Sequence, residues 1–282
     1  MPDLFDNIKD KPPKQNSPSP TTVNNSKKER SYSAKDIEVL EGLEPVRLRP
    51  GMYIGGTDDR AVHHLVAEIL DNSMDEAVAG EASHIDLEIN AEHYVTISDN
   101  GRGIPVDPHP KFKDKSAVEV ILTTLHSGGK FSGSSYETSG GLHGVGLSVV
   151  NALSDHLTVE IARDKKIWTQ QYERGKPVTK LENTGKTSNR RGTVVKFHPD
   201  PKIFGNKVQF RPSTLYKMAR SKAYLFKGVE IRWKCDPLLL KSDTETPEKA
   251  TLHFPGGLSD YLQGTLKDRD TVTPTTFSGH AN

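Results

Sequence analysis

The sequence predicts an α+β fold, a mainly antiparallel sheet with helices on one face. Two observations predict it. Short segments that alternate apolar and polar residues come as neighbouring pairs separated by turn-sized gaps, as antiparallel hairpins require. Longer segments with apolar residues at helical spacing lie between them, the mixture expected of a sheet covered by helices. No internal repeat and no heptad series is present, which excludes a solenoid and a coiled coil.

Residues 1 to 30 hold five prolines, many Ser, Thr, Asn and Lys, and only five apolar side chains. Such a stretch buries too little surface to offset its ordering entropy and reads as a disordered arm. Regular structure is expected from Ile37, where Ile37, Leu40 and Leu43 fall at helical spacing, and Arg49-Pro50-Gly51 signals a loop. Leu65 to Ala79 reads as a helix. Ile85 to Ile89 and Tyr94 to Ser98 alternate with period two and form a hairpin. Ala117 to His126 and Val145 to Leu153 are helical. Leu157 to Arg163 and Ile167 to Tyr172 flank Asp164-Lys165-Lys166 as a second hairpin. Gly192 to Phe197 and Val229 to Trp233 add strands, and Ser213 to Phe226 adds a helix.

The 282 residues carry 38 Lys+Arg and 37 Asp+Glu, a formal net charge of +1. The longest apolar run, Ala223 to Phe226, is far short of the ~18 residues of a membrane span. The N-terminus lacks the basic and apolar regions of a secretion signal. With a single cysteine, Cys235, an internal disulfide and a cysteine-rich zinc site are excluded. These features lead us to expect a cytoplasmic protein. The charge is unevenly spread. Asp36 to Glu119 contains 18 acidic and 7 basic residues, a balance of −11, whereas Ile161 to Lys222 contains 16 basic and 4 acidic, a balance of +12. The basic segment suits a polyanion such as DNA; the alternative is solvated lysines on hairpins and a helix face.

On a wheel at about 100° per residue, Val66, Ile69, Leu70, Ser73 and Ala77 share one face of the Leu65 helix. His64, Glu68, Asp71, Asn72 and Asp75 share the other. Glu68 and Asn72 stand at i and i+4, so both reach one spot, and His64 lies one turn before Glu68. An amide oxygen beside a carboxylate suits Mg²⁺ when a nucleotide supplies the other oxygens.

Asp99-Asn-Gly101-Arg-Gly103 follows a strand. A carboxylate at a strand end can accept from an exocyclic amine while paired glycines let backbone approach a flat base. Residues 128 to 146 hold seven of the 23 glycines and lead into a helix, an arrangement that offers backbone N–H groups to phosphates. It is not a P-loop, because no G-x-x-x-x-G-K-[ST] occurs. In Gly192-Thr193-Val-Val195 a threonine hydroxyl can face the same pocket.

Read in order, these pieces resemble the GHKL ATPase superfamily of gyrase, Hsp90, histidine kinases and MutL. Its four boxes match Glu68-x-x-x-Asn72, Asp99-x-Gly101-x-Gly103, Gly140-Gly-Leu-His-Gly-Val-Gly146 and Gly192-Thr193. Longer motifs narrow the match: Arg49-Pro-Gly-Met-Tyr-Ile-Gly55, Asp71-Asn-Ser-Met-Asp-Glu-Ala77, Leu125-His-Ser-Gly-Gly-Lys-Phe131 and Ser139 to Leu153. Over residues 32 to 270 the chain resembles the B subunits of bacterial type IIA topoisomerases. Lys130-Phe-Ser132 and Phe254 to Tyr261 favour the topoisomerase IV branch over gyrase.

The resemblance implies a two-layer (Bergerat) sandwich and ATP hydrolysis with Mg²⁺. It implies Glu68 as general base, His64 orienting it, Asn72 on Mg²⁺, and Asp99 accepting the adenine amino group with Gly103 and Thr193 around a shared water. Ile69, Ile97, Ile104, Ile121, Leu147 and Val195 would wall the adenine pocket, with Arg102 paired to Glu76 at its mouth. Lys130 and the backbone of Gly141, Leu142, His143, Gly144, Val145 and Gly146 would hold the phosphates as a lid. Tyr32 would reach the nucleotide site of a second protomer in an ATP-driven homodimer. The implied partners are a topoisomerase A subunit, two with two B subunits, and double-stranded DNA, with no membrane.

The implied organisation is an arm at 1–30, an ATPase domain at 31–235, and at 236–282 a linker with the start of a further domain, a transducer that carries a second phosphate-binding lysine. On that reading the chain is a fragment of a larger subunit. Thr169, where gyrase carries arginine, implies weak aminocoumarin binding. Two other readings stay open. A histidine-kinase domain shares the first three boxes but needs an upstream phospho-accepting histidine, and residues 1 to 30 contain none. A non-hydrolysing ATP-gated dimerisation module would need only the binding residues.

Overall fold

The structure is a computed structural model and describes residues 37, 39–128, 144–267, 269–273 and 279. The chain divides into two compact units, Met1–Val39 and Leu40–Asn282. Of the first, only Ile37 and Val39 are described, both exposed. The expected arm and Tyr32 lie outside the described residues.

The second unit opens with two short helices, α1 (Glu44–Leu48) and α2 (Gly51–Ile54). Helix does not begin at Ile37 as the spacing suggests: Gly42 adopts φ +61°, and α1 starts beyond it with Pro45 in its first turn, where a missing N–H costs nothing. Helix α3 (Asp59–Val78) is longer than its apolar pattern. Asp58 caps it by accepting from the N–H groups of Arg60 and Ala61, satisfying donors that have no partner within the helix.

Strands β1 (His84–Ile89) and β2 (Val95–Asp99) follow as the expected hairpin. A small hairpin, β3 (Pro108–His109) and β4 (Phe112–Ser116), then leads into α4 (Ala117–Thr123). Ser116 caps α4 through the N–H of Glu119, the Ser-x-x-Glu pattern of a helix start. Helix α5 (Gly146–Ala152) feeds β5 (Ser154–Arg163), which turns into β6 (Lys166–Glu173). Arg163 pairs with Lys166, and the two turn residues Asp164 and Lys165 both have positive φ. That is the backbone of a type I′ turn, whose twist matches its strands.

Next come β7 (Lys176–Pro177), β8 (Glu182–Lys186), β9 (Gly192–Pro199), α6 (Pro201–Phe204), α7 (Pro212–Leu225) and β10 (Glu230–Cys235). The segment expected as linker contributes β11 (Lys249–His253), antiparallel to β10, and helix α8 (Leu258–Leu266).

Among the described residues the main sheet runs β11-β10-β1-β2-β9-β5-β6-β7, with β8 also on β6. Among the described residues only β1 and β10 pair in parallel, so the sheet is mixed and mainly antiparallel, as the sequence predicts. Helices α3, α5 and α7 pack on it. The core lies between these layers, around Leu65, Ile69, Leu70, Ile97, Phe197 and Trp233. Strands β1 and β10 alternate fully buried with less buried residues, the signature of a sheet covered on one face.

The polar face of α3 differs from the wheel at one position. Asp75, placed on the polar face by the wheel, is 3% exposed. Helix α3 lies deep enough in the unit that its burial spreads beyond the apolar stripe, and His63 is buried with it.

Candidate nucleotide site

Asp99 ends β2, largely out of solvent. Its Oδ1 accepts from the N–H of Gly101 at 2.9 Å and of Thr193 at 3.4 Å, and its Oδ2 accepts from the Ser73 hydroxyl at 3.1 Å. Burial pushes the carboxyl up to about 6, against the opposing pull of these three donors. Three elements thus meet on one carboxylate: α3, the loop after β2, and β9.

The glycines around it are dictated by space. A Cβ on Gly101 would stand 2.9 Å from Asp99 Oδ1 and from Glu76 Oε2. Gly103 has φ +77°, and a Cβ there would press on Ile161 and the carbonyl of Ala162. This close packing brings the Ile104 N–H to the Thr193 hydroxyl oxygen at 3.2 Å. Arg102 lies over Glu76 in a forked pair, Nη2 to Oε1 at 2.9 Å and Nε to Oε2 at 3.1 Å, while its own N–H donates to Oε2.

One turn earlier on α3, His64 Nε2 is 3.1 Å from Glu68 Oε1. Asn72 Nδ2 donates to the Glu68 carbonyl at 2.8 Å, which fixes the orientation of the amide. Glu68 faces the start of α5 so closely that a Cβ on Gly146 would lie 2.3 Å from Oε2.

Apart from Gly101, Ile161 and Ala162, these residues line one cavity of about 650 Å³, large enough for a drug-sized ligand, between α3, the Gly103 loop, α4, the start of α5 and β9. Its walls include Ile69, Ile97, Ile104, Ile121, Leu147 and Val195, the six apolar residues expected there, together with Gly144, Val145 and Gly146. Glu68, His64, Asn72, Asp99, Arg102, Gly103 and Thr193 are therefore brought together. Lys130, Gly141, Leu142 and His143 lie outside the described residues. Thr169 is absent from the lining; on β6 its hydroxyl meets that of Thr184 at 3.0 Å.

The sequence reading missed two contributors. Ser73 sits on the apolar face of α3, and a serine there is the signal that a buried polar partner waits opposite it. Arg163, at the end of β5, lines the cavity and donates from Nη1 to the Gly103 carbonyl at 2.8 Å. Its position beside a hairpin turn gave no hint of that reach.

Among the described residues no group of three His, Cys, Asp or Glu side chains is placed to hold a metal ion, and no helix is long and apolar enough to cross a membrane. One amide oxygen beside a carboxylate matches the sparse protein ligation of Mg²⁺ when phosphate and water complete its shell.

Comparison with known proteins gives a consistent placement. The model of the "Histidine kinase-, DNA gyrase B-, and HSP90-like ATPase" family matches residues 57–203. The chain is 59% identical over 253 residues to the B subunit of DNA topoisomerase 4 from Bartonella bacilliformis, covering 90% of this chain and 37% of that protein. It is 54% identical over 280 residues to the corresponding topoisomerase 4 protein of Rickettsia bellii, covering 99% and 40%. Against the B subunit of DNA gyrase from Thermotoga maritima it is 51% identical over 232 residues, covering 82% and 35%. The chain therefore spans well under half the length of these relatives. A crystal structure of the 43K ATPase domain of Thermus thermophilus gyrase B, in complex with an aminocoumarin, superposes with a TM-score of 0.71 at 38% identity, over 85% of this chain and 59% of that one. With more than half of its residues inside the family match and a fold shared with a gyrase ATPase domain, this chain belongs to the histidine kinase-, DNA gyrase B- and HSP90-like ATPase family.

Proposed function

We propose that this chain is the ATP-binding and ATP-hydrolysing region of a type IIA topoisomerase B subunit, of the topoisomerase IV branch. The observation that carries the reading is that a largely buried acceptor, Asp99, and a carboxylate held by a histidine, Glu68, line one cavity together with Ile97, Ile104 and Val195. The similarity to the topoisomerase IV proteins, higher than to the gyrase protein above, supports the branch.

In this reading Asp99 accepts the exocyclic amine of adenine, and the Ser73, Gly101 and Thr193 donors keep it ionised for that purpose. Ile97, Ile104 and Val195 hold the base edgewise, and the Arg102–Glu76 pair bounds the mouth. Glu68 aligns a water and takes its proton as that water attacks the γ-phosphate, with His64 fixing the carboxylate's rotation. Asn72 would hold Mg²⁺, whose charge neutralises phosphate oxygens. Gly144 to Gly146 offer backbone to the phosphates, and Lys130 with Gly141 to His143 completes the phosphate side.

The domain reading is likewise a proposal: an arm through residue 30, an ATPase domain to 235, and the beginning of a transducer after it. In the whole protein, ATP-driven homodimerisation through Tyr32, pairing with an A subunit and passage of duplex DNA would follow, in the cytoplasm.

Glu68→Ala tests the reading. Removing a general base raises the transition state more than the ground state, so phosphate release should fall by at least about 10²-fold while ATP affinity stays within a few-fold. Hydrolysis at the parent rate refutes the assignment of Glu68, and a parent protein that binds but never hydrolyses ATP favours the non-hydrolysing dimerisation module. Titration with and without Mg²⁺ tests Asn72.

A further inference from the structure

The hairpin that carries Arg163 holds a row of cations, of which only Arg163 lines the nucleotide cavity. Arg163 pairs with Lys166 across β5 and β6, and Lys166 pairs with Lys186 across β6 and β8. Residues in register on neighbouring strands project to the same side of a sheet. Arg163 is two residues beyond the buried Ile161, so this row lies on the sheet face that lines the cavity. The backbone positions of these three cationic residues therefore stand side by side at strand spacing, about 4.8 Å apart, and directly opposed like charges destabilise a sheet.

Of the three, only Arg163 has a carboxylate partner among the described residues. Among the described residues Lys165, Lys166 and Lys186 make no ion pair, while the neighbouring Arg190 and Arg191 are paired to Glu160 and Glu81. Asp164, 3.7 Å from Arg163 Nε, is 81% exposed in the turn. Beyond the row lies Trp168, with Lys166 Nζ 5.7 Å from its ring centre.

We infer that the Arg163–Lys166–Lys186 row is a contact surface for the phosphate backbone of double-stranded DNA. The inference rests on the topoisomerase reading above and names where that partner touches this region. A row of closely spaced cations, two of which have no carboxylate partner among the described residues, matches a polymer that presents phosphates at short, regular intervals. Lys166 lies over the Trp168 ring, which disfavours base stacking and hence a single strand. Protection of the sheet edge by lysines accounts for Lys186 on β8 but not for Arg163 on the interior strand β5.

The test uses this 282-residue chain and a fluorescent 20-base-pair duplex, read by anisotropy between 50 and 200 mM salt. Lys166→Gln/Lys186→Gln removes about two phosphate contacts, so the slope of log affinity against log salt should become shallower by about 1.8. Duplex affinity at 50 mM salt should fall at least fivefold, and Lys166→Glu/Lys186→Glu should lower it further. Nucleotide affinity is measured alongside and should match the parent, since neither lysine lines the cavity. If the parent binds no duplex, if the variants bind with the parent's affinity and slope, or if single strands of equal length bind more tightly, the inference is overturned. An accompanying loss of solubility with unchanged DNA affinity would assign the lysines to edge protection. A parent that fails to bind nucleotide would instead overturn the ATPase reading.

Discussion

Gly192 and Asp99 meet so closely that a Cβ built on Gly192 would lie 1.9 Å from the Asp99 carbonyl oxygen. The contact joins the start of β9 to the end of β2, and it sets Thr193 where its N–H reaches the Asp99 carboxylate and its hydroxyl reaches Ile104. The Gly-Thr pair is thus a spacing device: the first residue admits the neighbouring strand, and the second uses that proximity.

Gly192→Ala should therefore be severe. Its φ of +115° is strained for any L side chain and the added methyl meets backbone, which cannot rotate away. We expect a loss of about 3 kcal/mol or more, together with loss of nucleotide binding. Gly205→Ala is the control. It also has positive φ but nothing within 4 Å of its Cβ, so only the backbone strain at φ +77°, ψ 162° applies, about 1–3 kcal/mol. Urea unfolding of the two variants separates steric from conformational strain, and equal losses would show that the Asp99 contact does not matter.

Asp99 makes stability and binding depend on pH in opposite senses. Burial raises its carboxyl to about 6 from an ordinary 3.8, so the native state binds the proton more tightly than the unfolded chain does. The stability that this tighter binding gives is complete below about pH 4 and is lost as pH rises through 6. Relative to the parent, Asp99→Asn should gain about 2–3 kcal/mol between pH 4 and 7. Nucleotide binding by the parent should weaken as pH falls through 6, because the protonated carboxyl is a poorer acceptor, and binding by the variant should be weak and flat. Parallel pH titrations of unfolding and of ADP binding check both signs.

Ser73→Ala should move that titration. The serine hydroxyl favours the ionised carboxylate, so its removal should shift the midpoint of nucleotide binding to higher pH. Losing one hydrogen bond to a charged group costs about 1.5 kcal/mol, roughly tenfold in affinity near neutrality. Ser73→Thr should restore much of it. A lower affinity with an unmoved midpoint would make Ser73 a packing residue only.

Much of this site was legible because it is written in local spacing. Glu68 and Asn72 are one helical turn apart, Asp99 to Gly103 is a strand end with its loop, and Gly192-Thr193 is a dipeptide. What escaped depends on distance in sequence. Ser73 acts on a carboxylate 26 residues away and Arg163 on a carbonyl 60 residues away, and neither separation leaves a periodic trace. The burial of Asp75 was not legible because a wheel reports one helix's own apolar stripe, not the depth at which the helix is packed. Strands β4 and β11 were missed because Phe112-Lys-Asp-Lys-Ser116 and Lys249-Ala-Thr-Leu-His253 pair on one side and lack a clear apolar alternation. The first helix was placed too early because apolar spacing at Ile37 to Leu43 carries no information about Gly42, whose positive φ breaks it.

The last prediction concerns a charge cluster remote from the cavity in sequence but tied to one of its helices. Asp200 is wholly buried, and its carboxylate accepts from Arg47 Nη2 at 2.7 Å, Arg174 Nε at 2.9 Å and the Lys202 N–H at 3.0 Å. Burial alone would raise its pKa, but these donors outweigh it and hold the carboxyl below the usual range. Arg47 also donates to the carbonyl of Ala152, the last residue of α5, where a cation is favoured by the helix dipole. The cluster thus locks α1 to the end of the helix whose start lines the nucleotide cavity. Arg47→Met keeps the aliphatic stem but leaves Asp200 with half its cationic support. We expect a loss of about 3 kcal/mol at pH 7, the lower end for breaking a buried ion pair, because Arg174 remains. The sign with pH follows from the depressed carboxyl: its stabilisation is present above the unfolded value near 3.8 and fades as pH falls through the lower folded value. The gap between parent and variant should therefore narrow below about pH 4. Denaturant unfolding at pH 7 and at pH 3 measures it. A gap that stays constant would mean that Arg47 works by packing rather than by charge, and a variant as stable as the parent at pH 7 would remove the cluster from the fold's essential contacts.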